Sequence, residues 1–235
     1  MNDTEIFRKA PRMAPVIFLL DCSGSMFDNG KINTLNYSVR NMIKQFQQEN
    51  STLAEFGVMI YTFSGNGVDE LIPLTNVKEL DVNRDLPEMQ ADGGTPMGAA
   101  LREAKKFIEN DESMHKCYRP IIILVSDGMP NDEGWKKAID DFAKNGRSSR
   151  CQRLALSIEA PRGTDQFEIL KRYTQDSEKI FYAENADKMV QFFDFVSKSI
   201  TSGPQNDIKF DFYEAEDEND NLEDDDFGFR IDSDF

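Results

Sequence analysis

Apolar residues recur along the chain in two alternating rhythms. Val16–Leu20 is an unbroken apolar run that closes on Asp21, the pattern of a strand buried on both faces. Leu35, Val39, Met42, Ile43 and Phe46 then return at the spacing of one helix face. Phe56–Phe63 predicts a second strand, and Leu71–Leu74 a short one whose Pro73 suits a sheet edge. Thr95-Pro96 predicts a helix start, with Thr95 as N-cap and Pro96 as first helical residue. Met97, Ala100, Leu101, Ala104, Phe107 and Ile108 form its buried face. Ile121–Val125 is another wholly apolar strand, followed by the helical stripe Trp135, Ala138, Ile139, Phe142. Leu154–Ile158 predicts a strand, Phe167–Tyr173 a short helix and Ile180–Tyr182 a short strand. Met189, Phe192, Phe193, Val196 and Ile200 mark a closing helix, and no internal repeat is visible.

Strands alternating with helices predict an α/β fold: a Rossmann-like, doubly wound, mostly parallel sheet with helices on both faces. Right-handed crossovers then bring the C-terminal ends of the strands to one edge, where such sheets bind ligands.

Composition narrows the function. The chain has 235 residues, 39% of them hydrophobic, which is enough for a core. No apolar run approaches the ~18 residues of a membrane span. Residues 1–12 contain no apolar block of the secretory kind. The three cysteines, Cys22, Cys117 and Cys151, are scattered without a CxxC pair. That argues for a reducing, cytoplasmic setting and against a disulfide framework or zinc site. The single histidine, His115, rules out a multi-histidine metal centre. It also precedes the Ile121–Val125 strand, at the opposite end of the sheet from Ser23, so no Ser-His pair is expected. A net charge of −16 excludes the basic footprint of a nucleic-acid binder.

That charge is uneven. Residues 207–235 hold 13 acids and 2 bases, while the rest of the chain is close to balanced with 30 acids and 25 bases. The break falls at Thr201-Ser202-Gly203-Pro204. Three regions are therefore expected: an N-terminal arm over 1–12, a globular domain over 13–203 and a disordered acidic tail over 204–235. Phe210, Phe212, Tyr213, Phe227, Phe229 and Phe235 punctuate the tail, and a segment of acids and rings suits docking on a basic groove.

The candidate chemistry lies where two predicted strands end in aspartate, Asp21 and Asp127. In an extended or turning chain alternate residues point the same way, so Asp21, Ser23 and Ser25 can converge. Thr95 brings another hydroxyl at a helix start. Hydroxyls and carboxylates are all-oxygen donors, which suit Mg²⁺, with Mn²⁺ or Ca²⁺ as alternatives, rather than zinc.

Asp21-x-Ser23-x-Ser25, Thr95 and Asp127 resemble the DxSxS…T…D pattern of the metal-ion-dependent adhesion site in von Willebrand factor type A domains. The likeness spans about residues 13–202. Within that family the chain looks most like the bacterial TerY-like group, tied to tellurite resistance and stress. The stretches behind this are Pro15–Met26, Gly94–Leu101, Tyr118–Asp132 and Phe192–Ser197. The resemblance implies that Ser23, Ser25 and Thr95 ligate the metal directly. Asp21 and Asp127 would hold it through waters, and a partner's Asp or Glu would complete the shell. It also implies a protein-binding adaptor rather than an enzyme, acting with a Ser/Thr kinase or a PP2C-type phosphatase. Some TerY-like relatives carry a C-terminal cysteine-rich module; here no Cys follows Cys151 and the acidic tail stands in its place.

Two other readings compete. One is a scaffold whose metal site is vestigial. The other is a phosphatase of the haloacid-dehalogenase type, whose DxDGT start Asp21-x-Ser23-Gly24-Ser25 superficially resembles. The second aspartate of that motif is the general acid, and Ser23 cannot supply a proton near neutral pH. A phosphate-binding loop fails as well: five residues separate Gly24 from Gly30-Lys31, and Ile32 replaces the required Ser or Thr.

Overall fold

The computed structural model describes residues 12–49, 54–65, 67–110, 112, 114, 117–203, 205–210 and 231–232. Six strands form one sheet: β1 (Arg12–Asp21), β2 (Ala54–Ser64), β3 (Gly67–Asn76), β4 (Ile121–Ser126), β5 (Gln152–Ile158) and β6 (Ile180–Ala183). Their order is β3-β2-β1-β4-β5-β6, parallel throughout except for the antiparallel edge strand β3. The helices are α1 (Lys31–Gln48), the single-turn α2 (Val82–Asp85), α3 (Met97–Glu109), α4 (Trp135–Lys144), α5 (Asp165–Thr174) and α6 (Ala186–Ser202).

The unbroken apolar runs explain the layering. In β1, Val16, Phe18 and Leu20 point into the core under α1 and α6, while Ile17 and Leu19 point into the core under α3, α4 and α5. All five are fully buried, and each such side chain contributes about 1.5–3 kcal/mol of transfer free energy. β4 repeats the pattern with Ile121, Ile123 and Val125 on one face and Ile122 and Leu124 on the other. The doubly wound architecture expected from the sequence is the one observed.

Boundaries differ for physical reasons. β1 begins at Arg12, which pairs with Ala54, so the last residue of the expected arm is sheet; residues 1–11 lie outside the described residues. β3 is longer than Leu71–Leu74. Val58 pairs with Thr75 and Ile60 with Ile72, leaving Pro73 and Leu74 opposite Met59. Proline, which cannot donate to the ladder, thus sits at the bulge of an edge strand.

The start of α3 is shifted by one residue. Pro96, not Thr95, is the boundary residue, its carbonyl accepting from the Ala99 and Ala100 amides, and no side chain of its own caps the helix. Asp132 does so from the β4–α4 loop, its Oδ1 accepting from the Gly98 amide at 3.0 Å. Thr95 is thereby released from the capping role.

The expected tail begins too early at 204. Ile208 and Phe210 are 1% and 2% exposed, and Phe210 lies against the rings of Phe181, Phe192 and Phe195. Asp207–Ile208 (β7) pairs antiparallel with Ile231–Asp232 (β8). The acid count of this stretch hid two apolar anchors. Residues 211–230 and 233–235, which hold the other tail aromatics, lie outside the described residues, as does His115.

Candidate metal centre

The candidate residues meet where β1 and β4 lie side by side. From β1 the chain crosses to β2 on one flank, while β4 and β5 fill the other. Such reversal points open a crevice beyond the strand ends. Asp21 closes β1 and is fully buried. The Ser126 hydroxyl, at the end of β4, donates to Asp21 Oδ2 at 2.6 Å, and the Ser23 amide donates to Asp21 Oδ1 at 2.8 Å. Burial pushes the Asp21 carboxyl up to about 6; the bonds from Ser126 and Ser23 oppose this, and the nearby charge of Asp127 adds to it.

The hydroxyls form a chain with a fixed direction. Ser25 Oγ donates to Asp127 Oδ1 at 2.7 Å, and Ser23 Oγ lies 3.1 Å from Ser25 Oγ. Ser25 has only one hydroxyl proton and gives it to Asp127, so Ser23 is the donor in the second bond. Thr95 is placed by its backbone: its amide donates to Asn131 Oδ1 at 3.0 Å, and the Asn131 amide donates back to the Thr95 carbonyl at 3.1 Å. A Cβ built on Gly128 would stand 3.4 Å from Thr95 Oγ1 and 3.7 Å from Ser25 Oγ. Both hydroxyls therefore look onto the same space above Gly128, which any larger residue would fill.

Backbone bonds clamp the loops before any side chain is considered. The Gly24 amide donates to the Gly93 carbonyl at 2.9 Å, Asp92 to Cys22 at 2.8 Å, and Gly65 to Asp92 at 3.1 Å. Gly93 has φ +64, and a Cβ there would fall 2.4 Å from Gly65 Cα. Only glycine allows this approach.

Lys31, the first residue of α1, joins the site without any signal in the sequence. Its Nζ donates to Asp127 Oδ2 at 2.5 Å and to Glu159 Oε2 at 3.2 Å, and the residue is 8% exposed. Asn29 Nδ2 donates to the other Glu159 oxygen at 2.9 Å. Burial alone would lower the Lys31 pKa, but the two carboxylates outweigh it and hold the ammonium above the usual lysine value. Glu159 is held below the usual carboxylate range by Asn29 and Lys31, against its partial burial. Gly30-Lys31 stood out in the sequence only as an incomplete phosphate loop. The partners of Lys31 lie 96 and 128 residues away, so no local pattern announced them.

The donor set fits a hard divalent cation. Ser23, Ser25, Thr95, Asp21 and Asp127 supply oxygen alone. The one nearby thiol, Cys22, is packed in the core with its pKa pushed up to about 12 by burial, so it is no thiolate ligand. Among the described residues no group of three or more His, Cys, Asp or Glu is placed to hold an ion. An ion here depends on the hydroxyls. Next to the site stand two exposed apolar side chains, Phe27 at 74% and Met129 at 43%. They lie two residues beyond Ser25 and Asp127 respectively. Among the described residues no helix is long and apolar enough to cross a membrane.

Comparison with known proteins places this geometry in a family. The model of the von Willebrand factor type A domain matches residues 16–195. The uncharacterized protein YfbK of Escherichia coli (strain K12) is 25% identical over 142 residues, 57% of this chain but 22% of that protein. The chain thus spans about a fifth of that relative. The pilus adhesin SpaC of Lactobacillus rhamnosus GG superposes with a TM-score of 0.66 at 17% identity, over 82% of this chain and 31% of that one. Proximal thread matrix protein 1 of the mussel byssus, with a zinc-occupied MIDAS motif, superposes with a TM-score of 0.54 at 14% identity, over 80% and 48% of the two chains. A family match over most of the sequence, on the sheet order and loops just described, shows that the chain belongs to the von Willebrand factor type A domain family.

Proposed function

We propose that the protein is a metal-dependent protein-binding module. Ser23, Ser25 and Thr95 would hold a divalent cation, Mg²⁺ in the first instance with Mn²⁺ or Ca²⁺ as alternatives, backed by Asp21 and Asp127. The observation that carries this reading is the convergence of the Ser25 and Thr95 hydroxyls over Gly128, with Ser25 bonded to Asp127. The zinc-occupied motif of the mussel protein supports an ion at the corresponding place. When bound, the ion supplies a positive charge at the sheet edge for a carboxylate of the partner to meet. Phe27 and Met129 supply apolar contact area beside it.

The role is binding rather than catalysis. Asp21 is buried and committed to Ser126 and Ser23, and the position a phosphatase would need for its acid is Ser23. The partner is a protein presenting an Asp or Glu. By likeness to the TerY-like group it is a Ser/Thr kinase or PP2C-type phosphatase of a cytoplasmic stress module. The Lys31–Asp127 pair favours a second reading, a metal-independent scaffold in which the ammonium replaces the ion.

Calorimetry separates the two. Mn²⁺ is expected to bind at a single site per chain, and Thr95→Ala to weaken it by about tenfold or more. Binding of a candidate partner should fall with EDTA, with Thr95→Ala, and with Phe27→Ala, the last without loss of metal affinity. Partner binding indifferent to both EDTA and Thr95→Ala would leave the scaffold as the function.

A further inference from the structure

Lys31 occupies a position that helix formation argues against. It opens α1, where unsatisfied amides place the positive end of the helix dipole and a cation is unfavourable. Its surroundings are locally costly as well. Glu159, which accepts from Asn29 beside it, sits at φ 55 without being glycine or asparagine. Costs of this kind persist where something else requires the arrangement. What the arrangement achieves is a buried ammonium on Asp127 Oδ2, leaving only Oδ1 turned toward the Ser25 hydroxyl.

We propose that Lys31 is a tethered cation that occupies Oδ2 of Asp127, weakening intrinsic affinity for the divalent ion and making metal and carboxylate bind cooperatively. This rests on the metal-dependent reading above. A dication entering among Ser23, Ser25 and Thr95 meets an aspartate already engaged by a positive charge. Asp127 then cannot swing in to neutralise the ion, and an external carboxylate is the group that can. Glu159 holds Nζ from the other side and keeps it from leaving to solvent. Lys31 and Glu159 also line a cavity of about 260 Å³ reaching Glu184 and Met189. Lys31 is therefore a positioning residue: it acts on the ion through Asp127.

The test is Mn²⁺ binding by calorimetry and electron paramagnetic resonance on the full chain, with and without acetate as the carboxylate probe. In the wild type, saturating acetate should raise Mn²⁺ affinity by fivefold or more. Lys31→Met should bind Mn²⁺ about tenfold more tightly than the wild type and lose most of the acetate effect. Lys31→Arg, which keeps the charge, should stay close to the wild type. A merely structural lysine would give the opposite sign, since its loss would loosen the site and weaken Mn²⁺. Unchanged or weaker Mn²⁺ binding by Lys31→Met overturns the proposal, and so does a wild type insensitive to acetate, which needs no variant to observe. If the wild type and Lys31→Met both bind no Mn²⁺ at all, the metal-dependent reading itself has failed and the proposal with it.

Discussion

Phe210→Ala is expected to lower stability by about 3–5 kcal/mol, the range for truncating a buried phenylalanine. The ring is 2% exposed, with centroids 5.5–5.6 Å from those of Phe181, Phe192 and Phe195. Its amide donates to the Glu178 carbonyl at 2.6 Å. Ion pairs Lys179–Asp207 at 2.8 Å and Lys209–Glu178 at 3.0 Å flank it, but they are partly exposed and add little. A chain ended after Gly203 should lose at least as much, because the α6 and β6 rings beneath would face water. A chain ended after Phe210 keeps those contacts. Urea unfolding of the three forms checks this. A loss under about 1 kcal/mol for Phe210→Ala would mean that residues 205–210 do not dock in solution and that the domain ends at 203.

Stability without metal should depend on pH through Asp21, by about 3 kcal/mol. The carboxyl is raised from 3.8 to about 6, mainly by burial. The folded state therefore holds this proton more tightly than the unfolded one. The stabilising contribution is complete below about pH 4 and is lost as pH rises through about 6. Other carboxylates act in the opposite sense; Asp140 is held near 2, chiefly by its hydrogen bond from Arg172. The quantity to compare is thus the difference between wild type and Asp21→Asn in EDTA, measured by urea unfolding from pH 4 to 7. That difference should vary with pH in EDTA and shrink in Mg²⁺, since a cation beside the carboxylate favours its charged form. Identical pH dependence of the two proteins in EDTA would show that Asp21 is not the titrating group.

The fold was legible because its central strands are apolar on both faces. Val16–Leu20 and Ile121–Val125 can be satisfied only inside a covered sheet, and helix stripes of matching length lie between the strands. The meeting place of the candidate residues was legible for a related reason: Asp21 closes one apolar run and Asp127 follows Ser126 at the end of the other, where parallel topology forces neighbours together. What escaped notice was long-range polar chemistry. Asp132 capping α3, Ser126 on Asp21, and Lys31 between Asp127 and Glu159 are pairings across at least 34 residues. Each is an ordinary polar residue in an ordinary local context. The close approach of Gly65 to Gly93 is equally silent in sequence, because a glycine in a loop has many uses. The early boundary of the tail has a different cause: net charge averages over a window, and two apolar side chains suffice to dock a strand.

The clamped loops bear finally on how fast the site can work. The amides of Gly24, Asp92, Thr95 and Asn131 are bonded across three separate segments by the protein itself. All of these bonds run between groups of the chain itself. On the metal-dependent reading, a frame built by the chain's own bonds would leave little ordering entropy to oppose capture of an ion. Loading and release would then run at the pace of ligand exchange rather than of loop folding. Hydrogen exchange at these four amides should accordingly be slow in EDTA and little changed by Mg²⁺. A site that melted on chelation would show fast exchange there, and would answer its partner only after refolding.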